Sequence, residues 1–347
     1  MEENTSFSKR PYGFFPTKSQ AFLVIGTIVT VIPVALFLWL GNVAVSFFSA
    51  DDTDSQEEII SPSRWLTATL IPSTFAIWGY RRKSVNFSGA LLGWIFSFIL
   101  SLSSYPFLAC LIAFFLSGSQ ATKFRADKKR KFEENFKPGG HRNWVQVLCN
   151  GGAPTFMAVL YIIDCGVGET PIDFDNSYHA SMISMAVLGS FAAACGDTWS
   201  SELGSVIQSA QPVLITNLKP VPRGTNGGVT GPGLWFSFIG GLLVGFAHYI
   251  TLVNTVDPTL LERAPAQWPV VFVGGIAGFL GSVLDSYLGA IFQYSGVHKS
   301  GVIVEHSGDG ITHISGKEML DNHSVNLICT IAMGLITPKI ANCMWTG

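Results

Sequence analysis

Charged residues are scarce in this sequence. Asp, Glu, Lys and Arg make up 13% of the 347 residues, whereas hydrophobic residues make up 48%. Soluble domains usually contain about 25% charged residues. A shortage on this scale excludes an ordinary soluble protein and indicates a chain that lies largely within a lipid bilayer. The formal net charge of -2 also excludes the strongly basic surface of a nucleic-acid-binding protein, so we expect no nucleic-acid partner.

Several signatures of known sites are missing as well. No two of the six cysteines form a Cys-x-x-Cys pair, so neither a zinc site nor a thioredoxin-like motif is indicated. Cysteines within apolar runs are interpreted as small buried hydrophobic residues. The seven histidines show no spacing typical of metal ligands. The chain also lacks the Gly-Lys-Ser/Thr ending of a Walker A loop, which excludes that type of nucleotide-binding loop.

Long apolar runs are what the chain does contain. A transmembrane helix needs about 20 mostly apolar residues. Candidate spans cover residues 21–48, 65–80, 87–102, 105–118, 144–163, 180–195, 234–253, 268–292 and 325–344. The third and fourth are short, and we interpret residues 101–106 between them as a tight turn. The sequence therefore predicts an all-α polytopic integral membrane protein with about nine transmembrane helices, as one domain over residues 21–347.

Loop charge predicts the orientation, because Lys and Arg accumulate on the cytosolic side. Basic residues cluster at residues 9–18, 81–83 and 119–143, whereas acidic residues cluster at 51–58 and 164–175. Nine spans place all the basic segments on one side. We therefore expect a cytosolic tail at residues 1–20, cytosolic loops at about 119–143, 197–233 and 293–324, and a lumenal C-terminus. Since no address signal is readable, we expect an endomembrane location, in the endoplasmic reticulum or Golgi.

This orientation makes a prediction about glycosylation. The Asn-x-Ser sequons at Asn4, Asn86 and Asn322 would be cytosolic or at the membrane surface, so we expect them to carry no glycan.

Pairs of glycines four residues apart lie within the predicted spans. The pairs are Gly89 with Gly93, Gly241 with Gly245, and Gly274 with Gly278. Each pair shares one helix face, and small faces let helices approach closely in lipid. We interpret these pairs as helix-packing positions.

Acidic residues within or beside spans are the strongest candidates for function, because each needs a partner, a wet cavity or a metal. They are Asp197, Glu202 and Asp285. Asp285 has no cation nearby on its own helix, and we favour a functional role over a structural polar pair. Asp197 and Glu202 are five residues apart and do not share a helix face. Asp197 could instead pair with Asp285, and two carboxylates at a cytosolic cavity suit Mg²⁺.

A glycine-rich loop follows these acids in the chain. The run Gly224-Thr225-Asn226-Gly227-Gly228 could form an anion-binding nest of backbone amides, with Lys219 and Arg223 beside it. The alternative is a plain glycine-rich turn that re-enters the membrane.

Two further segments have open interpretations. Asn322 and Asn326 share a helix face, and they either bind a ligand or bond to a neighbouring helix. The basic segment between Lys123 and Arg142 is interpreted as a solvated loop, the alternative being attraction to anionic lipid headgroups or a lipid phosphate.

Longer motifs carry a family resemblance. They are Gly-Asp-Thr-Trp-Ser-Ser-Glu-Leu-Gly at residues 196–204, Gly-Thr-Asn-Gly-Gly-Val-Thr at 224–230, Asp-Ser-Tyr-Leu-Gly-Ala at 285–290, Arg-Asn-Trp-Val-Gln-Val at 142–147 with Asn150-Gly151, and Leu-Asp-Asn at 320–322. In this order they resemble a membrane family that contains animal transmembrane protein 19 and the plant and bacterial phytyl-phosphate kinases of the vitamin E pathway. Asp197, Ser200 and Gly204 also resemble a pattern of CTP-using dolichol kinases and CDP-lipid synthases.

The resemblance implies a lipid-phosphate kinase that converts an isoprenyl monophosphate to the diphosphate with CTP or ATP. On this hypothesis Asp197, Asp285 and Glu202 are catalytic, and Asp197 and Asp285 bind Mg²⁺. The phosphate-binding candidates are Lys219, Arg223, Gly224, Thr225, Asn226, Gly227, Gly228, Asn322 and Asn326. The expected partners are membrane lipid and isoprenyl phosphate, and a homo-oligomer remains open.

The alternative function is a transporter or flippase for a lipid or small anion, which intramembrane acids and glycine-rich helices also suit. A kinase keeps its polar residues at one face of the membrane, whereas a transporter centres them at mid-bilayer. A purely structural membrane protein would leave Asp285 unexplained.

Overall fold

The computed structural model describes residues 18–49, 60–124, 141–204, 211–299 and 301–345. Helices dominate these ranges. The long ones are α1 (Lys18–Ser49), α2 (Pro62–Arg81), α3 (Phe87–Ser103), α4 (Tyr105–Lys123), α5 (Trp144–Cys165), α6 (Tyr178–Trp199), α7 (Gly231–Thr255), α9 (Pro269–Phe292) and α10 (Asn322–Trp345). A short helix α8 (Pro258–Arg263) precedes α9, and a π-helical turn (Ser200–Gly204) follows α6. Each predicted span coincides with one long helix.

Seven of the helices in the described ranges are long and apolar enough to cross a membrane. They are α1, α4, α5, α6 with its π-helical turn, α7, α9 and α10. Helix α3 is apolar but has only 17 residues, and α2 is not among the seven. The multi-pass helical architecture is thereby supported, whereas the count of nine spans and the orientation remain predictions. Helices α3 and α4 are separate, because Ser104 between them has extended backbone angles.

The chain forms two compact units, residues 1–74 and residues 75–347, which divide within α2. In the first unit, the amide of Ile60 donates to Asn42 Oδ1 at 3.0 Å, which ties the start of α2 to α1. The second unit is built around α6, which packs against α4, α5, α7, α9 and α10. Residues 184–196 of α6 are all buried. Since these residues are mostly Ala, Gly and Ser, the surrounding helices can approach this central helix closely.

Glycines form the contact between α7 and α9, as predicted for two of the three pairs. A Cβ atom added to Gly274 would lie 2.8 Å from the Cα of Gly245, and one added to Gly278 would lie 2.8 Å from the Cα of Gly241. The prediction was wrong for the third pair, Gly89 with Gly93. Gly93 has nothing within 4 Å of such an atom, and at Gly89 the close neighbour is the carbonyl oxygen of Arg142, at 2.5 Å, in a connecting segment. Gly89 and Gly93 therefore do not form a helix-packing face.

Short strands occupy segments that the all-α prediction treats as loops. Strands β1 (Val213–Leu214) and β2 (Gly228–Val229) pair antiparallel, with Val213 opposite Val229. Strands β3 (Ser295–His298), β4 (Ile303–Val304) and β5 (Ile311–Ser315) form an antiparallel sheet in the order β4-β3-β5 between α9 and α10. Both structures lie at the end of the bundle where α6 ends and α10 begins, which we call the site end.

Candidate functional site

Close helix packing brings Asp197 and Asp285 together at the site end. Helix α6 meets α9 where a Cβ atom on Gly281 would lie 2.7 Å from the Cα of Ala193. Nearby, a Cβ atom on Gly196 would lie 2.8 Å from the Cα of Gly278. Asp197 lies four residues, about one helical turn, after Ala193, and Asp285 lies four residues after Gly281. The missing side chains at these glycines therefore allow the two acids to approach each other.

The two carboxylates interact electrostatically, since the charge of Asp197 acts on Asp285. Both residues are partly exposed. Within the described ranges, no Lys, Arg or His forms an ion pair with either carboxylate. The pair is therefore two carboxyl groups at the end of a membrane helix bundle, with no counter-ion among the described residues.

Helix α10 supplies neutral donors to Asp285. With its amide oriented to donate, Asn326 Nδ2 lies 3.1 Å from Asp285 Oδ2 and 3.2 Å from the carbonyl oxygen of Asn322. The Cys329 thiol lies 3.8 Å from Asp285 Oδ2. Neutral donors orient a carboxylate without cancelling its charge. Asn326 therefore contacts the acid pair, whereas the Asn322 backbone accepts a bond from Asn326.

The donor set fits a hard divalent cation such as Mg²⁺. Mg²⁺ typically takes one or two carboxylates and completes its shell with waters and phosphate oxygens. Across the described ranges there is no group of three or more His, Cys, Asp or Glu residues able to bind a metal. A Mg²⁺ site with two protein carboxylates, completed by waters and phosphate oxygens, would agree both with this preference and with the absence of a larger ligand group in the described ranges. The Cys329 thiol is a soft ligand and is not suited to Mg²⁺.

The glycine-rich loop lies against α9 close to the acid pair. A Cβ atom on Gly227, which has φ +78°, would lie 2.6 Å from the carbonyl oxygen of Ser286. A Cβ atom on Gly289, one turn beyond Asp285, would lie 3.3 Å from the Gly227 nitrogen. Only glycine tolerates both the positive φ and this close approach. The loop therefore docks beside the helix that carries Asp285.

Protein acceptors already bind several polar groups of this loop. The Asn226 amide donates to Ser295 Oγ at 2.9 Å, and Asn226 Nδ2 donates to the carbonyl oxygen of Tyr294 at 3.2 Å. The Gly228 amide donates to the carbonyl oxygen of Thr225 at 3.0 Å. These bonds attach the loop to the β3 strand. They agree with the plain-turn alternative for Asn226 and Gly228.

Comparison with known proteins places this site within one family. The family model for integral membrane protein DUF92 matches residues 70–334, a range that includes Asp197, Asp285, Asn326 and Cys329. The chain belongs to the DUF92 integral membrane family.

The family extends across distant organisms. Protein PGR of Arabidopsis thaliana is 38% identical over 275 residues, which cover 79% of this chain and 95% of the plant protein. An uncharacterized membrane protein of Methanocaldococcus jannaschii is 26% identical over 288 residues, covering 82% of this chain and 96% of the archaeal protein. An uncharacterized membrane protein of Synechocystis is 27% identical over 184 residues, covering 53% and 62%. No solved structure matches the chain.

The other candidate residues of this DUF92 chain make no described contact with the acid pair. Lys219 is exposed after the β1 strand, Gly224 is exposed, and Thr225 is buried, with its hydroxyl donating to the carbonyl oxygen of Pro222 at 2.7 Å. Glu202 and Arg223 are partly exposed. The structure therefore brings together Asp197, Asp285 and Asn326, with the glycine-rich loop adjacent.

The residue pattern around Ser200 has a packing role in this DUF92 chain. A Cβ atom on Gly204 would lie 2.6 Å from the Cα of Gly233, and one on Gly233 would lie 3.0 Å from Ser200 Oγ. The π-helical turn after Asp197 therefore packs against the start of α7. Glycine is needed at position 204 because the backbone of this turn lies in close contact with the backbone of α7 at Gly233.

The sequence interpretation missed Cys329 as a polar contact. It predicted a small buried hydrophobic residue, and Cys329 is indeed 4% exposed. A signal was present, because Cys329 follows Asn326 by three residues and so shares its helix face. Reading that face as one unit would have placed the thiol beside the amide.

Proposed function

We propose that this protein is a lipid-phosphate kinase of the isoprenyl class, in the animal-type branch of its family, acting at the cytosolic face of an endomembrane. It would transfer a phosphoryl group from CTP or ATP to an isoprenyl monophosphate and form the diphosphate. The supporting observation is the Asp197–Asp285 pair, in which Asp285 has neutral donors and neither acid has a counter-ion in the part of the chain that the structure describes. Such a pair suits a metal–nucleotide complex.

The proposed chemistry needs positioning and charge neutralisation more than covalent help from the protein. An oxygen of the isoprenyl phosphate attacks the γ-phosphorus of the nucleotide. The new P–O bond forms as the bond to the β-phosphate oxygen breaks, and the nucleoside diphosphate leaves with that electron pair. Asp197 and Asp285 would bind Mg²⁺, which when bound neutralises phosphate charge. Asn326 would fix the Asp285 carboxylate through the bond at 3.1 Å.

The remaining candidates would serve the phosphates. Lys219 and Arg223 flank the glycine-rich loop, and the amide of Gly227 lies beside α9. Glu202 lies in the π-helical turn that follows α6, five residues after Asp197, and remains a catalytic candidate. We propose that an isoprenyl tail lies along the glycine-rich helices.

The depth of the acids favours the kinase over the transporter. Asp197 lies two residues before the end of α6 and seven before the end of the π-helical turn that continues it, and Asn326 is the fifth residue of α10. Asp285 lies seven residues before the end of α9, which is about 10 Å at 1.5 Å per residue. All three belong to one end of the bundle, whereas a transporter site is expected near mid-bilayer.

The test uses purified full-length protein with farnesyl or phytyl monophosphate, Mg²⁺ and labelled CTP or ATP. We expect a labelled isoprenyl diphosphate, lost in the Asp197→Asn and Asp285→Asn variants. Failure to form diphosphate from any isoprenyl phosphate, in a sample that binds lipid, would reject the proposal. Substrate movement across liposomes without nucleotide turnover would instead support the transporter.

A further inference from the structure

The backbone of the partly exposed Arg142 is held on both sides by hydrogen bonds. The Arg142 amide donates to the carbonyl oxygen of Ser84 at 3.1 Å, and the Asn86 amide donates to the carbonyl oxygen of Arg142 at 3.0 Å. This bridge joins the α2–α3 connection to the segment before α5. It directs the Arg142 side chain into the groove between α4 and α6.

The Arg142 guanidinium is poorly satisfied by protein groups. It lies 5.6 Å from the ring centre of Phe114 and 5.9 Å from that of Phe115. Its hydrogen bond in the described structure is from Nη1 to Ser119 Oγ, at 3.3 Å, although a guanidinium has five N–H donors. No carboxylate in the described ranges forms an ion pair with it.

A glycine leaves room beside this guanidinium. A Cβ atom on Gly118 would lie 3.1 Å from Arg142 Nη2 and 3.5 Å from Thr198 Cγ2. Thr198 directly follows Asp197 on α6. Arg142 therefore lies against the same helical turn that carries Asp197, on the side that faces α4.

Two more cations lie next to Arg142. Lys123 Nζ donates to the carbonyl oxygen of Arg82 at 3.1 Å and to Ser84 Oγ at 3.2 Å, and the charges of both Arg82 and Arg142 act on Lys123. Burial lowers the pKa of Arg142 to about 10, which still leaves the guanidinium charged at neutral pH. We call Arg82, Lys123 and Arg142 the basic cluster.

We infer that the basic cluster binds a phosphate monoester, with Arg142 as the residue that contacts the phosphate oxygens. Like charges that lie together, with no acidic partner among the described residues, attract an anion, and the planar guanidinium fork matches phosphate oxygens in pairs. Arg142 lies beside the turn of α6 that carries Asp197, yet the two residues form no ion pair. On this inference the acid pair binds a cation, and the basic cluster binds an anion. That the phosphate is the acceptor in phosphoryl transfer rests on the proposed function; that it binds here does not.

Binding without nucleotide tests this inference. Purified full-length protein in a non-ionic detergent would be titrated with farnesyl monophosphate, with farnesol and with inorganic phosphate. Loss of a charged hydrogen-bond partner should weaken farnesyl monophosphate binding about tenfold or more in Arg142→Gln, and less in Arg142→Lys. The matched control is Arg81→Gln, which changes an exposed arginine at the end of α2; it should bind within about twofold of wild type. Farnesol should bind all four proteins equally.

The ligand series separates two sources of the phosphate. A response to farnesyl monophosphate that inorganic phosphate does not reproduce would assign the site to a lipid headgroup. An equal response to inorganic phosphate would assign it to free phosphate, and both outcomes keep the basic cluster as a phosphate site. Unchanged farnesyl monophosphate binding in Arg142→Gln would overturn the inference and leave Arg142 as a packing residue.

A measurement on the wild-type protein avoids any folding defect of the variants. Phenylglyoxal modifies arginine, and mass spectrometry of the peptides reports each site. Farnesyl monophosphate should protect Arg142 but not Arg81, and farnesol should protect neither. Absence of protection at Arg142 would contradict the inference. Since no nucleotide is present, this protection reports binding alone. Protection of Arg142 here, with no diphosphate formed in the separate assay that contains CTP or ATP, would reject the kinase proposal and leave this site intact.

Discussion

Charge on both members of the Asp197–Asp285 pair is unfavourable unless a ligand neutralises it. Two carboxylates close together at a membrane helix end repel each other, and neither has an ion-pair partner in the described ranges. Asn326 and Cys329 orient Asp285 without neutralising it. A bound cation would convert this repulsion into attraction, so cation binding should stabilise the fold.

The Asp285→Asn variant tests this coupling between charge and stability. Without ligand, it should melt at a higher temperature than wild type, because one of the two like charges is gone. With Mg²⁺ and CTP or ATP, wild type should gain thermal stability whereas Asp285→Asn should not respond. The control is Asp257→Asn, at the start of α8, which keeps a capping side chain and should respond as wild type does. A ligand response in Asp285→Asn equal to that of wild type would exclude Asp285 as a metal ligand.

Asp173 gives a second prediction, about pH. Its buried carboxylate accepts from the amides of Asp175 and Asn176 at 3.0 Å and from Asn176 Nδ2 at 2.8 Å. Burial alone would raise the pKa of Asp173, but these hydrogen bonds outweigh it and lower the pKa below 3.8. A lowered pKa means that the charged form stabilises the fold above pH 3.8, and that this contribution is lost as the pH falls through the lowered value.

Asp173→Ala should therefore cost about 2 kcal/mol at pH 7. The difference from wild type in thermal melting should shrink when the pH is lowered below about 4. Asp173→Asn, which keeps an acceptor oxygen, should lie between the two proteins at pH 7. A melting difference that is the same at pH 7 and at pH 3 would show that the charge of Asp173 is not what stabilises this connection.

At the scale of elements, the contacts of α9 decide where the acids lie. Gly274 and Gly278 pack on Gly245 and Gly241 of α7, while Gly278 also contacts Gly196 of α6. A side chain at these positions would separate helices that now meet backbone to backbone. The geometry of the acid pair therefore depends on glycines that carry no chemistry.

Gly278→Ala tests this dependence. The added Cβ would lie 2.7 Å from the carbonyl oxygen of Ser237 and 2.8 Å from the Cα of Gly241. Relief of the overlap should cost about 1–3 kcal/mol and lower the melting temperature. Gly93→Ala is the control, because open space surrounds that site, and alanine there should be neutral or stabilising by up to about 1 kcal/mol. Equal melting of the two variants would contradict the proposed close contact.

The limits of sequence prediction follow from the range of the contacts. Apolar runs and glycine pairs are local patterns, and they predicted the long helices and the helix-packing positions in α7 and α9, but not that these two helices pack on each other. Strands of two to five residues are too short for a periodic signal, so β1 to β5 were missed. The bond from Asn326 to Asp285 joins different helices, and no local pattern predicts it. Arg142 was assigned to a basic loop, since only the fold shows that its side chain enters the bundle.

At the scale of the whole molecule, the described part of the chain gathers its candidate functional residues at one end. The acid pair, the docked glycine-rich loop and the basic cluster all lie at the site end of residues 75–347. Apolar composition and helix length could predict a multi-pass protein. They could not predict which loops meet, because that depends on how the helices pack around α6.

Nine spans with a cytosolic N-terminus would place the site end in the cytosol, and this topology can be measured directly. A sequon introduced between α5 and α6, in the acidic segment 164–175, should be glycosylated, whereas one introduced between β4 and β5 should not. The native sequons supply the internal control. Asn86 caps α3 by accepting from the Gly89 amide at 2.9 Å, and Asn322 begins α10, so both should remain unmodified.

A glycosidase-sensitive mass shift at Asn86 or Asn322 would invert the orientation. The acids would then face a compartment on the opposite side from the cytosolic nucleotides, and a kinase that uses them could not work there. Helices α2 and α3 are the two long helices outside the seven that satisfy the length and hydropathy requirements. If only one of them crosses the membrane, the parity of the spans changes, whereas nine and seven spans have the same parity. Glycan mapping of the connections on both sides of these helices therefore tests the span count and the side on which the proposed chemistry would occur.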